Sequence, residues 1–183
     1  MDEGILKGLY RYRRSEIKGP RAQLLGSGPI LLQALRAQEI LASDFGVSAD
    51  VWSATSYQQL RNEALEVERW NRLHPTVTPR VPYVTRILEG AEGPIVAVSD
   101  YMKMVPDMIA RWVPQSFLPL GTDGYGRSDS REALRRFFEN DAESVVVATL
   151  ATLARQKKIP AERVTEALER FGFGAEIPET WPA

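Results

Sequence analysis

Few residues of this chain could perform acid–base or metal chemistry. Its 183 residues include one histidine, His74, and no cysteine. Disulfides, thiolate metal sites, cysteine nucleophiles and a histidine-rich metal centre are therefore excluded. His74 belongs to the segment 68–75 (ERWNRLHP), in which Glu68 is a possible acid–base partner. No nucleophile motif accompanies the pair, so we interpret Trp70 and His74 as structural or interface residues and assign no catalytic residue.

Residues 121–129 (GTDGYGRSD) form the segment most suited to binding a partner. The segment follows a predicted strand and precedes a predicted helix, where open α/β sheets usually bind ligands. Its three glycines permit positive φ, and Tyr125 and Arg127 are residue types enriched at interfaces. We predict that Asp123, Tyr125 and Arg127 contact another domain or subunit. Capping of the following helix and ligand binding are the alternatives.

A second glycine turn, 26–28 (GSG), lies between a predicted strand and a predicted helix. Backbone N–H groups at such a helix start favour anions. The dinucleotide-binding fingerprint requires a third glycine at position 31, which is Leu31 here, and Pro29 removes one N–H donor. We therefore predict a tight turn rather than a phosphate site.

These segments need a sheet to position them, and the hydrophobic pattern predicts one. Short apolar β-runs alternate with helical patterns, which is typical of a doubly wound α/β sheet with helices on both faces. Gly46 is predicted to end the first long helix, Ser56 to cap the next, and Asp100 and Asp129 to cap later ones. The predicted strands are 5–12 at one edge, 22–25, 47–54, 94–99 and 117–120; the predicted helices are 29–45, 56–70, 82–88, 101–112, 129–138, 141–157 and 160–171.

Length and composition predict one domain over residues 1–183. Its core should span roughly residues 3–171, and the tail 172–183 should be poorly ordered unless Trp181 docks. The net charge of −1 gives no indication of nucleic-acid binding. The longest apolar run, 145–154, is too short to cross a bilayer, and the N-terminal segment lacks the order of a signal peptide. We expect a cytoplasmic protein without membrane or nucleic-acid partners.

Six strings occur in order along the chain: EGILKGLYRY, QLLGSGPIL, ERWNRLHP, TPRVPYV, VSDYMK and LGTDGYGRSDSREALRRFFE. Together they resemble the C-terminal domain of the homodimeric bacterial pyruvate dehydrogenase decarboxylating component, which is related to the transketolase C-terminal domains. The resemblance covers residues 3–171, and ERWNRLHP and GTDGYGRSDSR are its most specific strings. It implies a three-layer, mostly parallel mixed sheet of about five strands with one antiparallel edge strand.

The resemblance also implies a function for the full enzyme. That enzyme oxidatively decarboxylates pyruvate with thiamine diphosphate and Mg²⁺, and it acetylates lipoyl groups on the dihydrolipoyl acyltransferase core of a multienzyme complex. Family members hold the cofactor, the metal and the catalytic residues in two larger upstream domains. No position here matches those residues, so we assign no catalytic, cofactor-binding or metal-binding residue and expect the isolated fragment to be inactive. Its expected role is to brace the upstream domains and complete the homodimer.

Two alternatives use the same residues. The turn 26–28 and the loop 121–127 could together form a crevice for a small regulatory ligand or anion, because both follow predicted strands. Alternatively, the domain could dock the small subunit-binding domain of the acyltransferase.

Overall fold

Five strands form one mixed sheet in a computed structural model, which describes residues 2–174. The strands are β1 (Leu9–Arg13), β2 (Arg21–Gly26), β3 (Ser48–Ala54), β4 (Ile95–Val98) and β5 (Phe117–Leu120). Their spatial order is β1-β3-β2-β4-β5. Strand β2 pairs in parallel with β3 and β4, β4 pairs in parallel with β5, and β1 pairs antiparallel with β3. The predicted mixed sheet with one antiparallel edge strand is confirmed.

The strand order creates a switch point between β2 and β4. The chain passes from β2 to β3 on one side and then crosses to β4 on the other side. Connections that leave in opposite directions open a crevice at the carboxyl ends of the two strands. We call the edge of the sheet at which β2, β4 and β5 end the carboxyl edge.

Helices connect these strands and flank the sheet. They are α1 (Asp2–Lys7), α2 (Leu31–Phe45), α3 (Tyr57–Leu73), α4 (Tyr83–Leu88), α5 (Met104–Asp107), α6 (Arg131–Phe137), α7 (Ala142–Arg155) and α8 (Glu162–Arg170). Within the part of the chain that the structure describes, none of them has the length and apolar character needed to cross a membrane.

The helices cover both faces of the sheet and so produce three layers. One core cluster joins Leu24 of β2 and Val96 of β4 to residues of α2 and α7. The other joins Leu25 and Ala97 of the same strands to residues of α3 and α4. Successive residues of a strand point to opposite faces of the sheet. Because helices cover both faces, the central strands β2 and β4 are buried along their length.

Local signals position the helices that flank the first strands. Gly46, with φ of +63°, follows the last residue of α2, as predicted. Ser56 caps α3, also as predicted, and its hydroxyl accepts a 3.1 Å hydrogen bond from the Gln59 N–H. Asp141 caps α7 and accepts from the Ser144 N–H at 2.8 Å.

The predicted first strand is partly wrong. Its first residues form α1, and β1 begins only at Leu9. Gly8 separates the two elements with φ of +102°, and an added Cβ there would lie 2.6 Å from the Ser56 carbonyl oxygen. This close approach to the start of α3 is a tertiary contact, which an alternating local pattern does not encode.

The predicted helix 101–112 is wrong in extent. Helix α5 has only four residues, and a 3₁₀ turn follows at Ala110–Trp112. Pro106 lies in the first turn of α5, where its missing N–H is tolerated. The residues just before α5 are therefore loop.

Two predicted caps are also wrong. Ser130, not Asp129, caps α6, and its hydroxyl accepts from the Ala133 N–H at 3.2 Å. Lys103, not Asp100, precedes α5. Ser130 has the extended backbone that a cap requires, whereas Lys103 is helical and makes no capping hydrogen bond with its side chain. The predicted docking of Trp181 lies outside the described residues.

Candidate functional site

Two loops at the carboxyl edge are joined by hydrogen bonds. Residues 100–104 follow β4, and residues 121–127 follow β5. The Thr122 N–H donates to the Tyr101 carbonyl at 2.9 Å, and the Thr122 hydroxyl donates to the preceding carbonyl of that loop at 2.8 Å. Gly121 permits this approach, because an added Cβ would lie 2.3 Å from the Tyr101 carbonyl oxygen. The two loops therefore form one continuous surface.

Asp123 and Arg127 both make contacts within the domain. Asp123 accepts from the Lys103 N–H at 2.9 Å, and its second carboxylate oxygen lies 3.9 Å from Lys103 Nζ. Burial raises the pKa of the nearby Asp107 carboxyl, and the charge of Asp123 adds to the shift. The Arg127 guanidinium lies 4.3 Å from the centre of the Phe137 ring on α6. Contact of Asp123 and Arg127 with a partner stays a prediction.

Four large side chains project from the joined loops into solvent. Tyr101, Met102, Met104 and Tyr125 are 53%, 50%, 67% and 79% exposed. Tyrosine and methionine are enriched where protein interfaces are buried. We call these four side chains the carboxyl-edge face. Sequence reasoning identified Tyr125 but missed the other three, because it placed them in a helix.

Trp70 and His74 lie at the last turn of α3 and pack against each other. Their rings stack with centroids 4.3 Å apart and planes inclined by 12°. His74 Nδ1 donates to the Trp70 carbonyl at 2.8 Å. The Arg80 guanidinium lies 3.8 Å from the centre of the Trp70 ring. We call Trp70, His74 and Arg80 the α3-end stack.

Glu68 is not paired with His74. Its carboxylate accepts hydrogen bonds from Arg111 and, at 2.8 Å, from Trp112 Nε1. These hydrogen bonds, above all those from Arg111, hold the pKa of the Glu68 carboxyl below its usual range. The acid–base couple considered from the sequence is therefore not assembled.

The α3-end stack and the carboxyl-edge face are separate surfaces. A cleft of about 620 Å³ borders the stack and is lined in part by Leu73 and Val81, which are 56% and 51% exposed. Helix α3 starts beside the carboxyl edge and runs back along the sheet, so its last turn lies toward the opposite edge. No residue lines both this cleft and the clefts beside α6. The predicted interface residues thus fall into two groups.

The ligand-binding alternative requires the turn 26–28 and the loop 121–127 to share a crevice, but residues 26–28 themselves do not line the one at the switch point. Pro29 and Thr122 line one crevice of about 530 Å³. Ser27 does not contribute its hydroxyl to this crevice, because the hydroxyl donates to a β3 carbonyl at 2.9 Å. The crevice is instead completed by residues of α6.

Comparison with known proteins shows which family the chain resembles. The family model of the transketolase-like TK C-terminal domain matches residues 8–141. The chain is 46% identical over 177 residues to the pyruvate dehydrogenase E1 component of Pseudomonas aeruginosa, 47% over 176 residues to that of Escherichia coli K12, and 49% over 180 residues to that of Mycobacterium tuberculosis. These alignments cover 96%, 96% and 97% of this chain but 20%, 20% and 19% of those proteins. The chain therefore spans about a fifth of the length of these relatives.

Solved transketolases share the fold. A transketolase from Pichia stipitis superposes with a TM-score of 0.56 at 18% identity, over 85% of this chain and 19% of that chain. The transketolase from Leishmania mexicana gives 0.53 at 19% identity, over 84% and 19%. At such identities the likeness concerns the fold alone, and it agrees with the three-layer mixed sheet.

Proposed function

Since this chain belongs to the family of transketolase-like C-terminal domains, we propose that it is the C-terminal domain of a pyruvate dehydrogenase E1 component. The identity of 46% to 49% over nearly the whole chain supports this assignment. The relatives are about five times as long as their matching segments, which leaves room for the upstream domains that the assignment requires. Residues 1–183 form a single domain in this proposal, and the protein is cytoplasmic.

In this proposal the whole protein oxidatively decarboxylates pyruvate and transfers the acetyl unit to lipoyl groups. Thiamine diphosphate with Mg²⁺ supplies that chemistry when bound to the upstream domains. The described residues of this chain do not fit the metal, because none of them form a group of three or more carboxylate, histidine or cysteine side chains able to hold it. We therefore assign no step of the reaction to this chain.

The role of the domain is to dock against the upstream domains and to complete a homodimer. The observation that carries this role is the carboxyl-edge face, which exposes two tyrosines and two methionines on loops held together by hydrogen bonds. A preformed surface loses little conformational entropy on docking, and contiguous apolar area is the main source of affinity. Exposed side chains of this size and type in one place are typical of a contact surface.

The α3-end stack is the second contact surface in the proposal. The Trp70 and His74 rings already stack on each other and Arg80 contacts the Trp70 ring, so these contacts cover part of the area that a partner could use. The apolar side chains of the neighbouring cleft extend this surface. We assign the larger share of the docking energy to the carboxyl-edge face.

An assay of the isolated chain tests the proposal that this domain neither decarboxylates pyruvate nor binds the cofactor by itself. The chain is incubated with pyruvate and thiamine diphosphate plus Mg²⁺, and carbon dioxide release and cofactor binding are measured, the latter by calorimetry. We expect no turnover and no cofactor affinity tighter than about millimolar, which corresponds to roughly 4 kcal/mol. Turnover or tighter cofactor binding would contradict the proposal that the cofactor and the catalytic residues belong to the upstream domains.

A chimera tests the assignment itself. This chain replaces its matching segment, which is 47% identical, in the E1 component of Escherichia coli. We expect a dimeric, active enzyme that binds the acyltransferase core during gel filtration. A chimera that is folded but monomeric, or folded and inactive, would contradict the assignment. The intact mass of the native gene product is an independent check on the upstream domains.

A further inference from the structure

The crevice at the switch point has the size and position of a ligand site. It lies between the turn after β2, the ends of β4 and β5, and helix α6, and its volume is about 530 Å³. Small-molecule sites in proteins typically have volumes of roughly 300–1,000 Å³. Open α/β sheets bind ligands where the strand order reverses, which is the position of this crevice.

One wall of the crevice is apolar and the other is charged. Pro29, Leu134 and Phe138 supply the apolar wall. Arg131 and Arg135 supply the positive charge from one side of α6. An apolar wall beside a small number of converging polar groups suits a ligand that has a flat hydrophobic body and one charged end.

The two arginines lack acidic partners. Neither Arg131 nor Arg135 forms an ion pair with any residue that the structure describes, whereas Arg136, the next residue after Arg135, pairs with Asp141 at 2.9 Å. Arg131 and Arg135 are four residues apart on a helix, so their like charges lie on the same side and repel each other. A dianion held between them would remove this repulsion. Phosphate carries up to two charges and three oxygen acceptors, which match two guanidinium groups better than the single charge of a carboxylate does.

A buried amide beside the crevice has an unpaired acceptor. Asn140 is 2% exposed, and its amide nitrogen donates to the Ser99 carbonyl at 3.3 Å. Its amide oxygen has no hydrogen-bond partner among the described residues. Buried polar groups are nearly always hydrogen-bonded, and a bridging water is the simplest donor for this oxygen.

Two carboxylates at the rim select against a bare anion. Asp100 and Asp129 both line the crevice, and neither forms an ion pair with a described residue. Their charges oppose any anion, so a phosphate group needs the added contact of an organic body with the apolar wall to bind on the two arginines. We propose that this crevice binds a phosphate monoester with an aromatic body, the phosphate lying on Arg131 and Arg135 and the ring against Phe138.

Nuclear magnetic resonance of the ¹⁵N-labelled chain tests the site with defined probes. Adenosine monophosphate and phenyl phosphate are each titrated to about 10 mM, which detects dissociation constants in the millimolar range. Adenosine, benzoate and inorganic phosphate supply the ring alone, a ring with a carboxylate, and the phosphate alone. We expect saturable shifts at Arg135, Phe138 and Asn140 with the two monoesters, and affinities for the other three probes that are at least about tenfold weaker.

Matched variants locate the contact. The double variant Arg131→Gln, Arg135→Gln should weaken monoester binding at least about tenfold, because charge-assisted hydrogen bonds to both guanidinium groups are lost. Arg155→Gln, an equivalent change at the end of α7 away from the crevice, should change affinity by less than about twofold. Unchanged thermal unfolding of both variants shows that the fold is intact.

Three results would overturn the proposal. The first is the absence of saturable shifts with both monoesters. The second is a monoester affinity that the double variant leaves unaltered, which would place the binding elsewhere. The third is benzoate or inorganic phosphate binding as tightly as the monoesters, which would remove the phosphate ester as the ligand class.

Discussion

Replacing Met104 and Tyr125 by serine should weaken docking without weakening the isolated domain. The two side chains are 67% and 79% exposed and form the outer part of the carboxyl-edge face. Serine removes the apolar area, and both residues lie at loop or first-turn positions that tolerate a polar residue. The double variant therefore separates the docking energy from the folding energy.

The exposed fractions set the size of the effect. Full burial of a side chain of this kind stabilises by about 1.5–3 kcal/mol. With two thirds to four fifths of each side chain exposed in the isolated chain, covering both would contribute about 2–4 kcal/mol. Losing that energy should raise the equilibrium constant for undocking in the E1 chimera roughly 30- to 700-fold. In the isolated chain, the free energy of unfolding should change by less than about 0.5 kcal/mol.

Amide hydrogen exchange measures both quantities. Exchange at residues 100–104 and 121–127 reports local opening in the chimera, and urea unfolding reports the stability of the isolated chain. Ile17→Ser is the control, because Ile17 is 37% exposed but precedes β2 and so lies at the opposite edge of the sheet. Equal exchange in the double variant and the unsubstituted chimera would refute the docking role of this face.

Three further predictions concern the fold that supports the face. Gly93→Ala should lower the free energy of unfolding by at least about 3 kcal/mol in urea titrations, because the added Cβ would lie 1.7 Å from a β2 carbonyl oxygen. Gly90→Ala is the control. Gly90 has φ of +76° but open space around it, so the substitution should lower the free energy of unfolding by only about 1–2 kcal/mol. Asp141→Ala should cost about 1–2 kcal/mol by removing the cap of α7, and Asp141→Asn, which keeps a capping oxygen, should cost less in the same thermal unfolding experiment. Hydrogen bonds from Arg111 lower the pKa of Glu68 in the folded state. These bonds therefore stabilise the fold fully at pH values above the pKa of Glu68 in the unfolded chain. The stabilisation is lost as the pH falls through the lower pKa of the folded state. Glu68→Gln should therefore flatten the acid limb of the curve of unfolding free energy against pH, below the ordinary pKa range of glutamate, and an unchanged limb would contradict this assignment.

The sheet could be predicted because its signals are local. The apolar runs of β2 and β4 are short and bounded by glycine or proline, and a parallel strand buried on both faces needs such a run. Ser56 and Gly46 likewise act within one turn of their helices. The short helix α1 could not be predicted, because it depends on the contact of Gly8 with the start of α3, far along the chain.

The candidate site could be predicted only in part. Tyr125 was identified because it stands in a glycine-rich loop, where side chains face solvent. Met102 and Met104 were missed because an apolar stripe near a strand end fits a buried helix equally well. Pro106 is the signal that could have separated the two interpretations, since a proline is tolerated only in the first turn of a helix and so places the start of α5 near Met104, with Met102 in the preceding loop.

Hydroxyl-radical footprinting of the carboxyl-edge face is the most direct test of its docking role. The rates of oxidation of Met104 and Tyr125 are measured in the isolated chain and in the dimeric E1 chimera, with Tyr12, which is 49% exposed on the edge strand, as the reference side chain. We predict that both rates fall at least about fivefold in the chimera relative to Tyr12, because docking covers the apolar side chains. Equal relative rates in the isolated chain and in the chimera would show that the face stays in solvent, and the proposed bracing role would be contradicted.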